Sequence, residues 1–556
     1  MISDFFIILY WWFWFFLLGT IGLPLAFLFF RKFFDFGFLF SKVLAILILL
    51  SSLLILFWGL VVFFIYKRKQ TRISTSKWIC ANISRGSITN FEKFLVLLPI
   101  FLFLSLLLPF LNSFPHRDGN IEFVESFDFY SKGLNGYLLK WREAAHPPLK
   151  QFLVATLFSF FKVSPFTYNI LGLIIGTLGI FSFYLLVTHL FQDAKLALLT
   201  SSLLATHPLF IANALFALRD FLVSVFLIFT LYFYLKDREI LYVIFATLLV
   251  YIKETALVFP LVVLSIDLIF RIRDIRKMLK KIILNAIPLF AFLVWLWKLK
   301  SLNLSVWSAH ILSGGHNPFK IVMYNLASLV FLQFAKGGEF LNEQAKQQWK
   351  QLFFLNFNWI FWFVFCFGLI FWIVKISKKK PSFSQNASVV KTLLTIWLFP
   401  LAHIFTVLTF PTYAIPRYAL PVIPFLLIGT SWAICNIFTR WLRILCLVVI
   451  IIIVPLSLFT SSDPISIKLW NKEKFLGEEV YPLYLTWAGN DGIVYNWQYL
   501  KIVKKRTEAI KSIEEGKNTL TPEDCGFIFP DPNNDYQTFR ILNLEKLWQN
   551  PLCELR

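Results

Sequence analysis

Long apolar runs, broken by short polar segments that carry the charges, repeat along most of the chain. They lie near 5–30, 40–66, 93–113, 166–190, 195–212, 219–236, 239–252, 255–270, 282–298, 358–376, 391–410, 418–437 and 444–460. A helix needs about twenty apolar residues to cross the hydrocarbon core of a bilayer. The pattern therefore predicts an all-α polytopic membrane protein with about thirteen spans. The first run, from Phe5 to Phe30, is too long for a cleaved leader and lacks its small-residue exit, so it reads as a retained span.

Basic clusters orient these spans. Lys67, Arg68, Lys69, Arg72 and Lys77 form one cluster, and Arg271, Arg273, Arg276, Lys277, Lys280 and Lys281 a second. Lys375, Lys378, Lys379 and Lys380 form a third, with Arg440 and Arg443 a smaller fourth. Because cytoplasmic loops are enriched in Lys and Arg, all four belong inside. Counting through the spans puts all four there and the more polar tail from Ser461 outside. Three parts follow: a two-span extension with a basic linker (1–92), a transmembrane core (93–460) with outer loops at 112–165 and 299–357, and a small outer domain (461–556). Two short apolar stretches in those loops, "PPLKQFLVATLFSFF" and "NLASLVFLQFA", read as interfacial or re-entrant helices. A full crossing by the first would invert everything downstream.

Composition agrees with this picture. Hydrophobic residues make up 58% of the 556, and mean hydropathy is +0.71, more apolar surface than a soluble fold hides. The net charge of +22 would suggest nucleic acid in a soluble chain, but here it resides in loops and sets topology. The six cysteines show no metal spacing. Cys366, Cys435 and Cys446 fall in apolar runs and read as packing residues, whereas Cys525 and Cys553 would pair in an oxidising compartment. Abundant Phe, Ile and Lys point to an AT-rich bacterial genome, hence to the plasma (inner) membrane, with a protein of the endoplasmic reticulum as the alternative.

The candidate chemistry gathers on the outer face. On a helix from Asp118 to Tyr130, Asp118, Glu122 and Glu125 share a narrow face, opposite Phe123, Val124, Phe127 and Tyr130. That describes an interfacial helix with carboxylates turned toward water or a cavity; a solvated acidic surface is the competing explanation. In "KWREAAHPPLKQFL" the prolines push His146 out of the helical region, and Pro148 suits a first helical position. His146 and Lys150 then lie near a helix N-terminus that favours an anion, with Lys140 and Arg142 just upstream. Three further pairs reach the same side: Arg219 with Asp220, Lys253 with Glu254, and Arg417 with Tyr418. Ionisable groups at membrane depth are costly and mark function by default, although structural ion pairs or snorkelling side chains explain any single one of them.

Transfer of a sugar from a lipid phosphate to a hydroxyl would use such a set. The acceptor needs one carboxylate to take its proton. The leaving phosphate needs cations, and one base without a nucleophile gives inversion. Lys140, Arg142, His146, Lys150, Arg219, Lys253, Arg417 and Tyr418 are candidates for the donor phosphate, Asp220 and Glu254 for other parts of the substrate. A transporter or flippase of lipid-linked saccharides is the alternative from another class; it predicts midplane charges and symmetric halves, which the chain does not display. A non-catalytic envelope scaffold is another rival. A glycan polymerase or ligase would share the chemistry with a larger donor.

The motifs "HRDGNIEF", "HPPLKQFL", "ATHPLFIANALFALRDF", "KETALVFPLVV" and "PRYALPVIPF", in that order between about Phe94 and Phe459, resemble the GT-C superfamily of polytopic glycosyltransferases. The resemblance is to the branch of protein O-mannosyltransferases and lipid A aminoarabinose transferases. It implies a polyprenyl-phosphate-linked sugar as donor, a lipid, glycan or protein as acceptor, and a site on the extracytoplasmic face. It also implies that Asp118 is the base. The family usually has an acid directly after that Asp; this chain has Gly119 and then Glu122, so both Asp118 and Glu122 stand as candidates. Arg219 and Asp220 match a family position carrying Arg or an acid, and Lys253 and Arg417 match positions where positive charge suits the phosphate. Members of the branch vary in metal use. No cofactor is assigned here, and His116 with Asp118 and Glu122 is the grouping that could take a divalent ion.

Overall fold

A computed structural model describes residues 96–116, 118–141, 146–271, 275–302, 360–367, 416–436, 473–475, 478–480, 497–515 and 532–544, with scattered positions between 370 and 450. All of them belong to one compact unit, Ser84–Arg556. The two-span N-terminal extension, the outer-loop stretch "NLASLVFLQFA", Arg142, Cys525 and Cys553 lie outside the described residues.

The core is helical. Helix α1 (Leu97–Leu107) runs into a 3-10 turn at Leu108–Phe110, where Pro109 ends the regular ladder. An acidic helix, α2 (Asp118–Lys140), and a short apolar one, α3 (Leu149–Phe160), follow. Helix α4 (Pro165–Phe191) starts at Ser164, whose hydroxyl accepts from the Thr167 amide, with Pro165 at the first helical position. It packs on α1, on α5 (Ala194–Ala205) and on α7 (Arg219–Leu235). A Cβ at Gly172 would lie 1.6 Å from the Ala214 carbonyl oxygen, so only glycine allows α4 this close to that chain.

Helix α3 has twelve residues. At 1.5 Å per residue it reaches roughly 18 Å, well short of a bilayer core of about 30 Å. Its Phe152, with Phe160 and Phe161 at its end, is exposed, as an interfacial helix requires. The run 195–212, expected as one span, is instead a bent pair: α5 meets α6 (Pro208–Ala214) at 58°. Pro208 lacks an amide proton and drives His207 to φ −67°, ψ 122°, which breaks the helix there.

Helix α7 pairs with α8 (Glu239–Val250), and α9 (Val258–Arg271) and α10 (Ile275–Ser301) close that side. On α10, Leu279, Ile283, Ile287, Phe290, Val294 and Trp297 form an exposed apolar stripe, while Asn285, Trp295 and Leu299 are buried. A helix with its apolar side out is one solvated by lipid. Among the described residues three helices are long and apolar enough to cross a membrane, or four if the bent pair counts as one. This is a membrane protein.

A 3-10 stretch, Pro416–Val422, leads into α11 (Ile423–Asn436), which packs on α5. Two tail helices, α12 (Trp497–Glu514) and α13 (Pro532–Ile541), return to the core, α12 against α6 and α13 against α2. Strand β1 (Glu473–Phe475) pairs antiparallel with β2 (Glu478–Val480), Glu473 opposite Val480, a short hairpin on an otherwise helical chain. Cys366, read as a packing residue, is exposed.

Candidate active site

Helix α2 is amphipathic as the spacing predicts, but its polar face does not look at water. Glu122, Glu125 and Asp128 are all buried. On the apolar side Phe123 meets Tyr168 edge-on at 5.3 Å and Phe158 at 5.8 Å, which ties α2 to α3 and α4. The helix breaks at Gly133, which takes φ 67°, a conformation that disfavours any side chain. The break turns the last residues back. Lys140 Nζ bonds Asp128 Oδ2 at 2.7 Å and Gln537 at 2.8 Å, while the Trp141 indole donates to Asp128 at 3.1 Å. Lys140 thus belongs to a cluster around Asp128 rather than to the expected phosphate set.

What the acidic face meets is a wall of cations. Lys150 Nζ pairs with Glu122 and also donates to the Tyr168 hydroxyl at 3.1 Å and the Phe216 carbonyl at 2.9 Å. Arg219 bonds Glu122 Oε1 at 2.9 Å and pairs with Glu125, whose Oε2 also accepts from Gln151 at 2.6 Å. Lys150 is 0% exposed and Arg219 8%. Burial alone would raise the Glu122 carboxyl, but Lys150 and Arg219 outweigh it and hold Glu122 below its ordinary range. These four side chains form a closed quartet. Lys150, expected near a helix N-terminus facing an anion, lies one residue inside α3 and is sealed; Pro148 is the cap residue.

Beside the quartet lies a more open group. Arg417, on the 3-10 stretch, pairs with Asp118 at the start of α2 and reaches Asp220 Oδ2 through Nε at 3.5 Å. Asp220 Oδ1 accepts from Lys253 at 2.7 Å. The Lys253 ammonium sits 4.3 Å from the centre of the Tyr418 ring, whose own backbone carbonyl accepts from His403 Nε2 at 2.8 Å. His403 is thus the hydrogen-bonded packing histidine expected from its place in a span. The Asp118 side chain is 24% exposed and that of Arg417 15%, against 8% for Glu122. Gly119 follows Asp118 because a Cβ there would meet the Phe216 ring at 2.5 Å, which leaves no room for the acid expected from the resemblance.

His146 Nδ1 is 3.0 Å from Glu254 Oε2, and the Leu149 amide donates to the Tyr251 carbonyl at 3.0 Å, so the start of α3 is fastened to the segment that carries Lys253 and Glu254. Burial would raise the Glu254 carboxyl, but His146 and then Lys253 bring it down to about 2. A carboxyl lower in the folded state than in the unfolded one gives stability that is full above its ordinary value near 4.5 and is lost as pH falls toward about 2. Between those limits, Glu254→Gln should flatten the pH dependence of thermal unfolding. An unchanged acid limb would show that the pair contributes nothing.

Ten of the candidate residues therefore converge: Asp118, Glu122, His146, Lys150, Arg219, Asp220, Lys253, Glu254, Arg417 and Tyr418. Glu125 was seen on the acidic face but not as a site residue. Gln151, one residue after a candidate lysine, carried no signal of its own. Among the described residues no group of three or more His, Cys, Asp or Glu is arranged to hold a metal, and Glu122, one of the three residues considered for it, is taken by Lys150 and Arg219. Five carboxylates (Asp118, Glu122, Glu125, Asp220, Glu254) face four lysine or arginine cations (Lys150, Arg219, Lys253, Arg417), with His146 alongside. Arg417 is the most exposed of these four cations.

No family model matches the chain, and no curated protein matches it. Among solved structures the chain is similar to ArnT from Cupriavidus metallidurans bound to undecaprenyl phosphate, at 14% identity over 84% of this chain and 77% of that one, TM-score 0.42. It is similar also to the apo state of that protein, at 12% identity with the same coverage and a TM-score of 0.43.

Proposed function

We propose that this protein is an inverting glycosyltransferase that moves a sugar from a polyprenyl-phosphate-linked donor to a hydroxyl acceptor at the extracytoplasmic face of the plasma (inner) membrane. One observation carries the reading: the most open carboxylate of the cluster, Asp118, is paired with its most open fixed cation, Arg417. The donor phosphate takes Arg417, with Lys253 behind it, and displaces Asp118 from its ion pair. Asp118 is then free to accept the proton of the acceptor hydroxyl. The acceptor oxygen attacks the anomeric carbon from the face opposite the phosphate. The carbon–oxygen bond to phosphate breaks, its electron pair stays on the phosphate oxygen, and Arg417 and Lys253 stabilise the growing charge. Glu122 does not serve, because two cations hold its carboxylate and the fold covers it. Glu254, held by His146 beside this group, is assigned to contact a substrate hydroxyl. The sequence resemblance to GT-C enzymes supports the same donor class.

The test is native mass spectrometry of protein gently extracted from its own membranes, paired with transfer from a purified polyprenyl-phosphate sugar. A co-purifying isoprenoid phosphate or its sugar adduct, together with inverted product, is the expected result. A bound lipid-linked glycan without any transfer would point to a flippase. Transfer only from multi-sugar donors would point to a polymerase or ligase. An absence of isoprenoid lipid and of transfer from folded protein would overturn the proposal.

A further inference from the structure

The tail, from the sequence only a small polar domain of open purpose, holds the segment that carries Asp118 from both sides. Upstream of it, the Phe114 amide donates to Thr507 Oγ1 at 2.9 Å, and Arg506 donates to the Pro115 carbonyl at 2.5 Å. Downstream, Asn120 Nδ2 donates to Asp535 Oδ1 at 2.8 Å, and Thr538 Oγ1 donates to Asn120 Oδ1. The two tail helices are joined to each other by Arg506 and Asp535 at 2.7 Å. Asp535 Oδ1 thus accepts from both Asn120 and Arg506. Asn120 and Asp535 are 0% exposed, Arg506 1%, Thr538 2% and Thr507 5%. Phe114 and Phe539 add an edge-on ring contact at 6.4 Å.

Such an arrangement is more than surface packing. A buried ion pair is a costly way to hold two helices together when apolar residues would do, and it keeps its place where geometry has to be specific. Here each of its ends fixes a backbone or amide group within three residues of Asp118. The core alone would leave Asp118 at the fraying end of α2, with Arg417 the one side chain that pairs with it among the described residues.

We propose that Arg506, Asp535 and Thr538 are positioning residues that set Asp118 against Arg417 and the donor site. The inference rests on the reading of Asp118 as the base. Asp118 reaches its substrate at the correct distance only when α13 is seated on α2. A displacement of about 1 Å, even from a change remote from the reacting atoms, costs up to about a hundredfold in rate.

The experiment compares Thr538→Val, Thr538→Ser and Asp535→Asn in the full-length protein, in detergent or nanodiscs. Thr538→Val removes one hydrogen bond without leaving a buried charge, so it is the variant most certain to fold. The expected result is a kcat per folded molecule at least tenfold lower in Thr538→Val and in Asp535→Asn, a KM for the lipid donor within twofold of wild type, and recovery in Thr538→Ser. A purely structural role would lower the melting point and the yield but leave kcat per folded molecule unchanged, and that result overturns the proposal. A second readout is independent of turnover. A cysteine placed by Asp118→Cys should react with a water-soluble methanethiosulfonate reagent at a different rate when Thr538→Val is added, measured over the native-cysteine background. If no transfer is found in any form, a changed labelling rate still upholds the positioning while the proposed reaction fails. An unchanged rate refutes the positioning.

Discussion

Asp118→Asn is expected to reduce turnover by about 10²–10⁴-fold, the usual contribution of a positioned general base, while the lipid donor binds at least as tightly as to wild type. The second half follows from the ion pairs. Asn at position 118 cannot compete for Arg417 as a carboxylate does, which leaves Asp220 at 3.5 Å as the other acid on that guanidinium. An incoming phosphate then meets less competition. Single-turnover transfer and donor titration, measured on the same preparation, separate the two effects. A variant that loses donor binding and rate together would assign Asp118 to the binding site instead of the base. Full activity in Asp118→Asn with loss in Glu122→Gln would move the base to Glu122, against its burial and its two cationic partners.

The largest expected effect on stability is that of Lys150→Met. Its ammonium is completely buried and bonded to Glu122, the Tyr168 hydroxyl and the Phe216 carbonyl. Removing one member of a buried charge pair leaves the other desolvated, at a cost of about 3–5 kcal/mol. Because Arg219 still faces Glu122, the lower end, about 3 kcal/mol, applies. Adding Glu122→Gln neutralises the stranded charge and should restore much of the loss. Thermal unfolding in the same detergent reads both. If Lys150→Met melts with wild type, the quartet is not the brace described here. If it also loses donor affinity while melting with wild type, Lys150 is the phosphate ligand that its place in "HPPLK" suggested.

Much of this site was legible from residue types and spacing, and the limits of that legibility are physical. Apolar length marked the three described helices that are long and apolar enough to cross a membrane, since that length follows from the bilayer. Periodicity put Asp118, Glu122 and Glu125 on one face, but it records only that a face is polar. Whether that face meets water or a row of cations depends on α3 and α7 folding over it, so the quartet was invisible although its members were named. The departure from the family pattern at Gly119 acquires a reason only with the Phe216 ring beside it. Lys140 illustrates the converse: nothing in its sequence neighbourhood reveals that Gly133 turns it back upon Asp128. The bent pair at Pro208 could have been anticipated, because a proline within an apolar run is a standing reason to expect a break. The tail contacts carried no sequence signal, since no local pattern specifies a partner hundreds of residues away.

That separation has a temporal meaning. The hydrogen bond between Asn120 and Asp535 joins residues 415 positions apart. At about 5–20 residues per second, on the order of 20–80 s of synthesis separates the two groups. For that interval the nascent chain holds an acidic helix whose last partners do not yet exist. The intermediate spans can be inserted and packed, yet the loop that carries Asp118 has to wait for α12 and α13. Completion of the geometry around Asp118 is therefore a late event in biogenesis, and a chain that ends before Asp535 lacks the partner of Asn120 that seats the start of α2.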